Sequence, residues 1–98
     1  MGADIRDSDI NTLRILAMKV LKQETQNDET VGVNRHSIFE RACVNAGASG
    51  GQGQYESKNM KLENLVFQDL VGRGHVTHGE RLDQIYITYQ GKNASDYR

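Results

Sequence analysis

LENLVFQDLVGRGHVTHGERLDQIYITYQGKN, residues 62–93, is the stretch that decides the fold. It begins with apolar residues at helical spacing, which predict a helix closed by Gly74. Two short runs rich in β-branched and aromatic residues follow, Val76–His78 and residues 84–88, and both predict strands. Residues 79–83 between them are mostly charged and start with glycine, which favours a hairpin turn. The order is therefore helix, strand, turn, strand and a Thr-x-x-Gly ending.

This helix is the third of the chain, and its predicted limits are Ser57 as the N-cap and an end near Gly72. A helical wheel divides it into two faces. The apolar face consists of Met60, Leu62, Val66, Phe67, Leu70 and Val71. The polar face consists of Ser57, Lys58, Lys61, Asn64, Gln68 and Asp69. Glu63 on the apolar half and Leu65 on the polar half depart from this division.

The first helix is predicted over residues 8–26, with Ser8 as its N-cap and Asp9 favourable in the first turn. Its core-facing stripe is predicted to be Ile10, Leu13, Leu16, Ala17, Val20 and Leu21. Ile15 and Met18 are predicted to lie on the other side. Either the chain's own tail covers them, or they form a partner surface such as that of a homodimer.

A second helix is predicted over residues 35–46, after a turn and a short extended piece. Asn34 is its expected N-cap and Gly47 its expected C′ residue. Its apolar positions are Ile38, Phe39, Ala42, Cys43 and Ala46. The segment 47–54 contains four glycines, a density that no helix or strand tolerates, so a loop reaching to residue 56 is predicted.

Both chain ends are expected to be flexible, at residues 1–7 and 94–98. The tail from Tyr89 onward is polar and is predicted to hold one helical turn before it frays. The 98 residues suffice for one domain with one small core, but not for a scaffold with a deep enzyme cleft. We therefore expect a single domain over the whole chain.

Charge and cysteine content restrict the possible functions. The formal net charge of −1 argues against a protein that coats nucleic acid by bulk electrostatics, although a local basic patch is compatible with it. Cys43 is the only cysteine, which excludes an intrachain disulfide and favours a reducing compartment. The sequence has neither an apolar run of membrane-spanning length nor a secretory signal, so a cytoplasmic location is expected.

Catalytic and metal-binding patterns are weak in this sequence. The scattered Asp, Glu, His and Ser residues do not place a nucleophile, a base and an orienting group together. The histidines and Cys43 lack the spacing of a zinc site. The Gly-rich segment lacks the Gly-Lys-Ser/Thr ending of a phosphate-binding loop and follows a helix, where such loops follow a strand. We expect no enzyme, no metal and no cofactor.

Two passages resemble the winged helix-turn-helix superfamily, in particular small regulators of the MarR and PadR kind. Residues 70–76, Leu-Val-Gly-Arg-Gly-His-Val, are similar to the passage from helix to wing in that family. Residues 85–91, Ile-Tyr-Ile-Thr-Tyr-Gln-Gly, are similar to its Tyr-x-Leu-Thr-x-x-Gly ending. The resemblance implies a mainly α, α+β fold of three helices and a C-terminal β-hairpin wing.

The resemblance also implies a transcriptional regulator that binds double-stranded DNA sequence-specifically, with the third helix in the major groove and the wing on the flanking backbone. The expected DNA-binding residues are Arg35, His36, Lys58, Lys61, Asn64, Gln68 and Arg81. Among them, Lys61 and Asn64 suit base edges, and Lys58 suits a phosphate. Arg35 and His36 are further phosphate candidates, and Arg81 is the candidate for the flanking groove.

Each of these residues also has a structural explanation. A solvated helix surface is equally rich in Lys, Asn and Gln, and Arg81 could pair with Glu80 or Asp83 in the hairpin. The chain also departs from the family, because a loop of about ten residues joins its second and third helices, beyond the usual two to eight.

The alternative function is a winged-helix module that binds protein through Leu65, Ile15 and Met18. A positive stripe on the surface favours DNA, and an apolar patch with acidic neighbours around Leu65 favours protein.

Overall fold

The computed structural model describes residues 5–48, 55–81 and 83–98. Over these ranges the chain is a mainly helical α+β fold with four α-helices and a small three-stranded antiparallel sheet. The elements in chain order are α1 Asp7–Thr25, β1 Val33–Asn34, α2 Arg35–Ala48, α3 Met60–Gly72, β2 Val76–His78, β3 Gln84–Ile87, α4 Tyr89–Asn93 and a 3-10 helix Ser95–Tyr97. Within this described part, no helix combines the length and apolar character that crossing a membrane requires.

The N-cap of α1 lies two residues before the predicted one. Arg6 occupies the N-cap position, and Ser8 lies inside the helix. The backbone N–H of Arg6 donates to the Asp9 carboxylate at 3.0 Å, which places a negative charge at the positive end of the helix dipole. The helix ends at Thr25, because the C-cap residue Gln26 has a φ of 53°, in the left-handed region that stops helical hydrogen bonding.

The prediction that Met18 faces away from the core is wrong. Met18 is 0% exposed, and Ile15 is partly buried against the core. The reason is that α1 contacts α2, α3, β3 and the 3-10 helix, so it is buried over a wider arc than the single apolar stripe indicates. Met18 therefore offers no surface to a partner.

The second helix begins as predicted and ends later. The Asn34 side-chain oxygen accepts from the backbone N–H of Ser37 at 2.9 Å, which confirms the capping role of Asn34. The helix continues through Gly47 to Ala48, so Gly47 is a helical residue and not the C′ residue. Of the predicted loop, residues 47–56, positions 47 and 48 belong to α2, and positions 49–54 lie outside the described residues.

Asn59, and not Ser57, is the N-cap of α3, because its side-chain oxygen accepts from the backbone N–H of Leu62 at 3.0 Å. At the other end Gly74 adopts φ +76°. The N–H of Gly74 donates to the Val71 carbonyl at 2.9 Å, and the N–H of His75 donates to the Leu70 carbonyl at 3.0 Å. This pair of bonds is a Schellman motif, which requires a left-handed residue at the position of Gly74.

The sheet has the strand order β1-β3-β2. Strand β1 pairs with β3, where Val33 lies opposite Ile85. Strands β2 and β3 form the hairpin, where Val76 lies opposite Ile87. Ile85 and Ile87 are both fully buried, as the alternation of a strand with one core-facing side requires. The sheet thereby joins the hairpin to the segment that immediately precedes α2.

The C-terminal residues pack onto the domain, contrary to the predicted fraying and flexibility of residues 94–98. Tyr97 is 4% exposed. Its hydroxyl accepts from Arg14 Nη1 at 2.8 Å, and Arg14 also binds the Asp96 carboxylate at 2.9 Å. The same hydroxyl lies 2.7 Å from His75 Nδ1. Helix α1, the start of the hairpin and the tail are therefore joined by one polar network, which is buried at Arg14 and Tyr97.

The core takes apolar residues from α1, α2, α3, the strands and the tail. Two residues assigned to the apolar face of α3 are exceptions, because Met60 is 55% exposed and Val71 38% exposed at its two ends. Among the described residues, the buried apolar ones are Leu13, Ala17, Met18, Val20, Leu21, Ile38, Phe39, Ala42, Cys43, Ala46, Leu62, Val66, Phe67, Leu70, Val76, Ile85, Ile87 and Tyr97.

Candidate nucleic-acid interface

The exposed face of α3 carries a row of polar side chains. Burial of the apolar face, around Val66 and Phe67, turns Lys61, Asn64 and Gln68 toward solvent. At 1.5 Å rise per residue this row spans about 10 Å along the helix axis. Its side chains offer donors and acceptors over a length comparable to a few base pairs of duplex.

Behind this face, a buried carboxylate joins α3 to the start of α2. Glu63 is 1% exposed. Its Oε2 accepts from Arg35 Nε at 2.9 Å, and its Oε1 lies 2.6 Å from His36 Nδ1. An unpaired carboxylate at this depth would be strongly destabilising, so Arg35 and His36 both compensate its burial.

Arg35 connects this buried pair to the exposed row. Its Nη2 donates to Asn64 Oδ1 at 3.0 Å, and its guanidinium carbon lies 5.7 Å from the centroid of the Phe67 ring. Only 19% of its side chain is exposed. The charge of Arg35 is thus largely offset by Glu63, whereas the side chain of His36 is still 41% exposed.

The hairpin contributes a separate cation. Arg81 is exposed, and over the described residues its side chain has no ion pair, so neither Glu80 nor Asp83 neutralises it. Asp83 is occupied elsewhere, because its carboxylate accepts from the Asn34 side chain at 3.2 Å and its carbonyl accepts from the Arg35 N–H at 2.6 Å. These bonds fix the hairpin against the start of α2.

The cations nearest the start of α3 are also unpaired. Lys58, in the turn before the helix, and Lys61 are exposed, and in residues 55–81 neither has an acidic partner. The continuous positive stripe considered from the sequence, Lys58–Lys61–Arg35–Arg81, is therefore interrupted at Arg35. Three separate cations remain available to an anionic ligand.

A groove of about 720 Å³ adjoins the far end of the exposed row. It lies between the first turns of α1 and the last turns of α3 and includes Leu65 with acidic neighbours. Asp69 in its wall pairs with Arg73 at 3.0 Å and approaches Arg14 Nε at 3.5 Å. The lining residues are Asp7, Ser8, Ile10, Asn11, Leu65, Gln68, Asp69 and Arg73.

The structure thus brings together five of the seven predicted DNA-binding residues, because Arg35 and His36 share Glu63, Arg35 contacts Asn64, and Lys61 and Gln68 share the helix face with Asn64. Gln68 lies on the same face beside the groove, Lys58 precedes the helix and Arg81 lies on the hairpin. Glu63 was not among the predicted site residues. The signal for it was present, because a carboxylate on the apolar half of a helix implies a buried cationic partner.

A search of protein families, curated proteins and solved structures finds no match to this chain. In the part of the chain that the structure describes, no group of three or more His, Cys, Asp or Glu side chains is arranged to hold a metal ion. The functional conclusion therefore depends on the geometry of this surface.

Proposed function

We propose that this protein binds double-stranded DNA as a winged helix-turn-helix regulator, with α3 in the major groove and the β2–β3 hairpin on the flanking backbone. The observation that carries the proposal is the exposed row Lys61, Asn64 and Gln68 on α3. The element order α1-β1-α2-α3-β2-β3 and the strand order β1-β3-β2 support it, because they place one such helix beside one hairpin. We infer a binding protein and not an enzyme.

The chemistry of the row suits a major groove. A groove about 12 Å wide admits one α-helix, and its base edges offer both donors and acceptors. Asn64 and Gln68 can donate and accept, whereas Lys61 can only donate. Lys58 and Arg81 lie outside the row and are proposed as phosphate contacts, which set register without reading sequence. Arg35 and His36 act in this proposal chiefly through Glu63.

The test is binding of a random-sequence duplex pool, followed by fluorescence anisotropy at two salt concentrations. We expect affinity to fall steeply with salt, because each phosphate contact releases counterions. Replacing Lys58 or Arg81 by Ala should reduce the slope of log K against log salt by about 1, because each is proposed to contact one phosphate. The double change Lys61→Ala with Asn64→Ala should abolish binding. Lys19→Ala, an exposed lysine on α1, is the matched control and should bind as the wild type does.

The two possible failures have different meanings. Undiminished binding by the Lys61/Asn64 double variant, with its fold intact by circular dichroism, would remove α3 from the interface. Absence of wild-type binding even at low salt would reject DNA as the ligand.

A protein partner is the second candidate, and a specific observation favours it. Met60 and Val71 are exposed at the two ends of α3, and Val44 on α2 is 63% exposed. Leu65, named from the sequence as the centre of an apolar patch, is instead partly buried in the wall of the groove between α1 and α3. A homodimer is a further proposal, which light scattering of the purified protein at several concentrations tests. It requires a surface other than Met18.

A further inference from the structure

We propose that Arg35 is a positioning residue that fixes Asn64 as a hydrogen-bond donor, so that Asn64 selects a guanine in the base pair that it contacts. This inference rests on the proposed function and adds to it the chemistry of one recognition position. It is carried by the bond chain from Glu63 through Arg35 to Asn64.

The orientation of the Asn64 amide follows from donor chemistry. A guanidinium can only donate, so the atom it contacts at 3.0 Å must be the amide oxygen and not the amide nitrogen. Arg35 is itself held, because its Nε is bound to the buried carboxylate of Glu63. The amide of Asn64 therefore has one defined orientation in which its oxygen faces Arg35 and its NH₂ group is left for a ligand.

This orientation changes what Asn64 can read. The usual bidentate contact of Asn with adenine needs the amide oxygen to accept from N6 while the nitrogen donates to N7. Here Arg35 already donates to that oxygen and leaves one acceptor position on it, while the remaining N–H groups of both side chains are all donors. Guanine presents two adjacent acceptors, N7 and O6, to the major groove. These donors complement guanine, whereas the N6 amino group of adenine would have to share the Asn64 oxygen with the Arg35 guanidinium.

The bond chain can be tested first in the free protein. In ¹H–¹⁵N spectra, replacing Arg35 by Met should shift the Asn64 side-chain NH₂ signals, because their oxygen loses its donor. His36→Asn is the matched control, since it changes the other ligand of Glu63 without touching Asn64. Unchanged NH₂ signals in the Arg35 variant would overturn the proposed orientation without any reference to DNA.

The second step is selection from a random duplex pool with four proteins: wild type, Asn64→Ala, Arg35→Met and Arg35→Met with Glu63→Gln. The last variant removes the buried charge that Arg35→Met leaves behind, so that loss of fold cannot imitate loss of specificity. The position whose preference disappears in Asn64→Ala identifies the base pair that Asn64 contacts. We expect guanine there in the wild type, preferred about tenfold or more over adenine.

The outcomes separate this inference from the proposed function. The inference is supported if the wild type selects guanine and the Arg35/Glu63 double variant shows a preference about tenfold weaker, while the base preferences at other positions are unchanged. Adenine at that position, an unaltered preference in the double variant, or no position that depends on Asn64 would each overturn it while DNA binding stands. Failure of the wild type to bind any duplex would overturn both.

Discussion

At the scale of single residues, burial decides the chemistry of the titratable groups. Cys43 is 6% exposed and lies in the apolar stripe of α2. His75 is partly buried and shares a hydroxyl with Arg14. In both cases removal from water disfavours the charged form, so the pKa of the thiol rises and that of the imidazole falls.

The Cys43 thiol should be unreactive in the folded protein. Burial, followed by the nearby carboxylates of Glu63 and Glu40, raises its pKa to about 11, so very little thiolate exists near neutral pH. We expect alkylation by iodoacetamide, followed by mass spectrometry, to be much slower in native buffer than in urea. Equal rates in the two conditions would show that the thiol is accessible in the native state.

The stability of the protein should fall on mild acidification because of His75. Burial and then the charge of Arg14 lower the pKa of His75 below its ordinary value of 6.5. As pH falls, His75 therefore binds a proton in the unfolded chain before it does so in the folded protein. The contribution of neutral His75 to stability is complete above pH 6.5 and is lost as the pH falls through the pKa of His75 in the folded protein. Thermal unfolding from about pH 8 to about pH 5 should show a smaller fall in Tm for His75→Asn than for the wild type.

His78→Asn is the control for that measurement, because His78 is exposed at the end of β2. Its Tm should decline with acid as the wild-type Tm does. Identical pH profiles for His75→Asn and the wild type would contradict a depressed pKa at His75.

At the scale of elements, the Thr-x-x-Gly ending has two structural functions. The Thr88 hydroxyl accepts from the backbone N–H of Gly91 at 3.0 Å, which caps α4, and donates to the carbonyl of Gly74. Gly91 is buried against the backbone of His75, where a Cβ would overlap the His75 carbonyl oxygen. The motif thereby fixes the end of the hairpin to the end of α3.

Gly91→Ala should accordingly destabilise the fold by about 1–3 kcal/mol, since the added methyl group meets backbone that cannot rotate away. Gly72→Ala is the matched control, because a Cβ at Gly72 meets nothing within 4 Å and alanine favours the helix by up to about 1 kcal/mol. Urea denaturation of both variants measures the difference. A Gly91→Ala protein as stable as the wild type would refute the close approach.

At the scale of the whole molecule, the tail closes the domain. Tyr97 inserts its ring beside that of His75, with centroids 5.3 Å apart, and its hydroxyl meets the buried Arg14. Elements from the beginning, middle and end of the chain thus share one network, which should make unfolding cooperative.

Tyr97→Phe should lower the free energy of unfolding by about 1–3 kcal/mol, because Arg14 loses an acceptor and His75 loses its partner inside the protein. Tyr89→Phe is the control, since Tyr89 is 68% exposed and its change should stay within about 0.5 kcal/mol. Chemical denaturation followed by circular dichroism measures both. Equal stability of the two variants would mean that the hydrogen bonds of the Tyr97 hydroxyl do not stabilise the domain.

The sequence by itself determined the features that depend on neighbouring residues. The two strands of the hairpin, the Asn34 cap and the helix end at Gly74 were predicted from it, because caps, turns and strand alternation are set by dihedral preferences and hydrogen bonds over a few positions. The polar row on α3 was also predicted, since helical periodicity alone separates it from the apolar face.

Only the tertiary structure decided the contacts between distant residues. Arg35 and Glu63 are 28 positions apart, and Arg14 and Tyr97 are 83 apart, so no local pattern pairs them. Helical periodicity predicts only one buried face of α1, and Met18 lies outside that face. Met18 is nevertheless buried, because α1 is packed against α2, α3, β3 and the 3-10 helix. Which charges are free to meet a ligand and which are neutralised inside the protein depends on that packing.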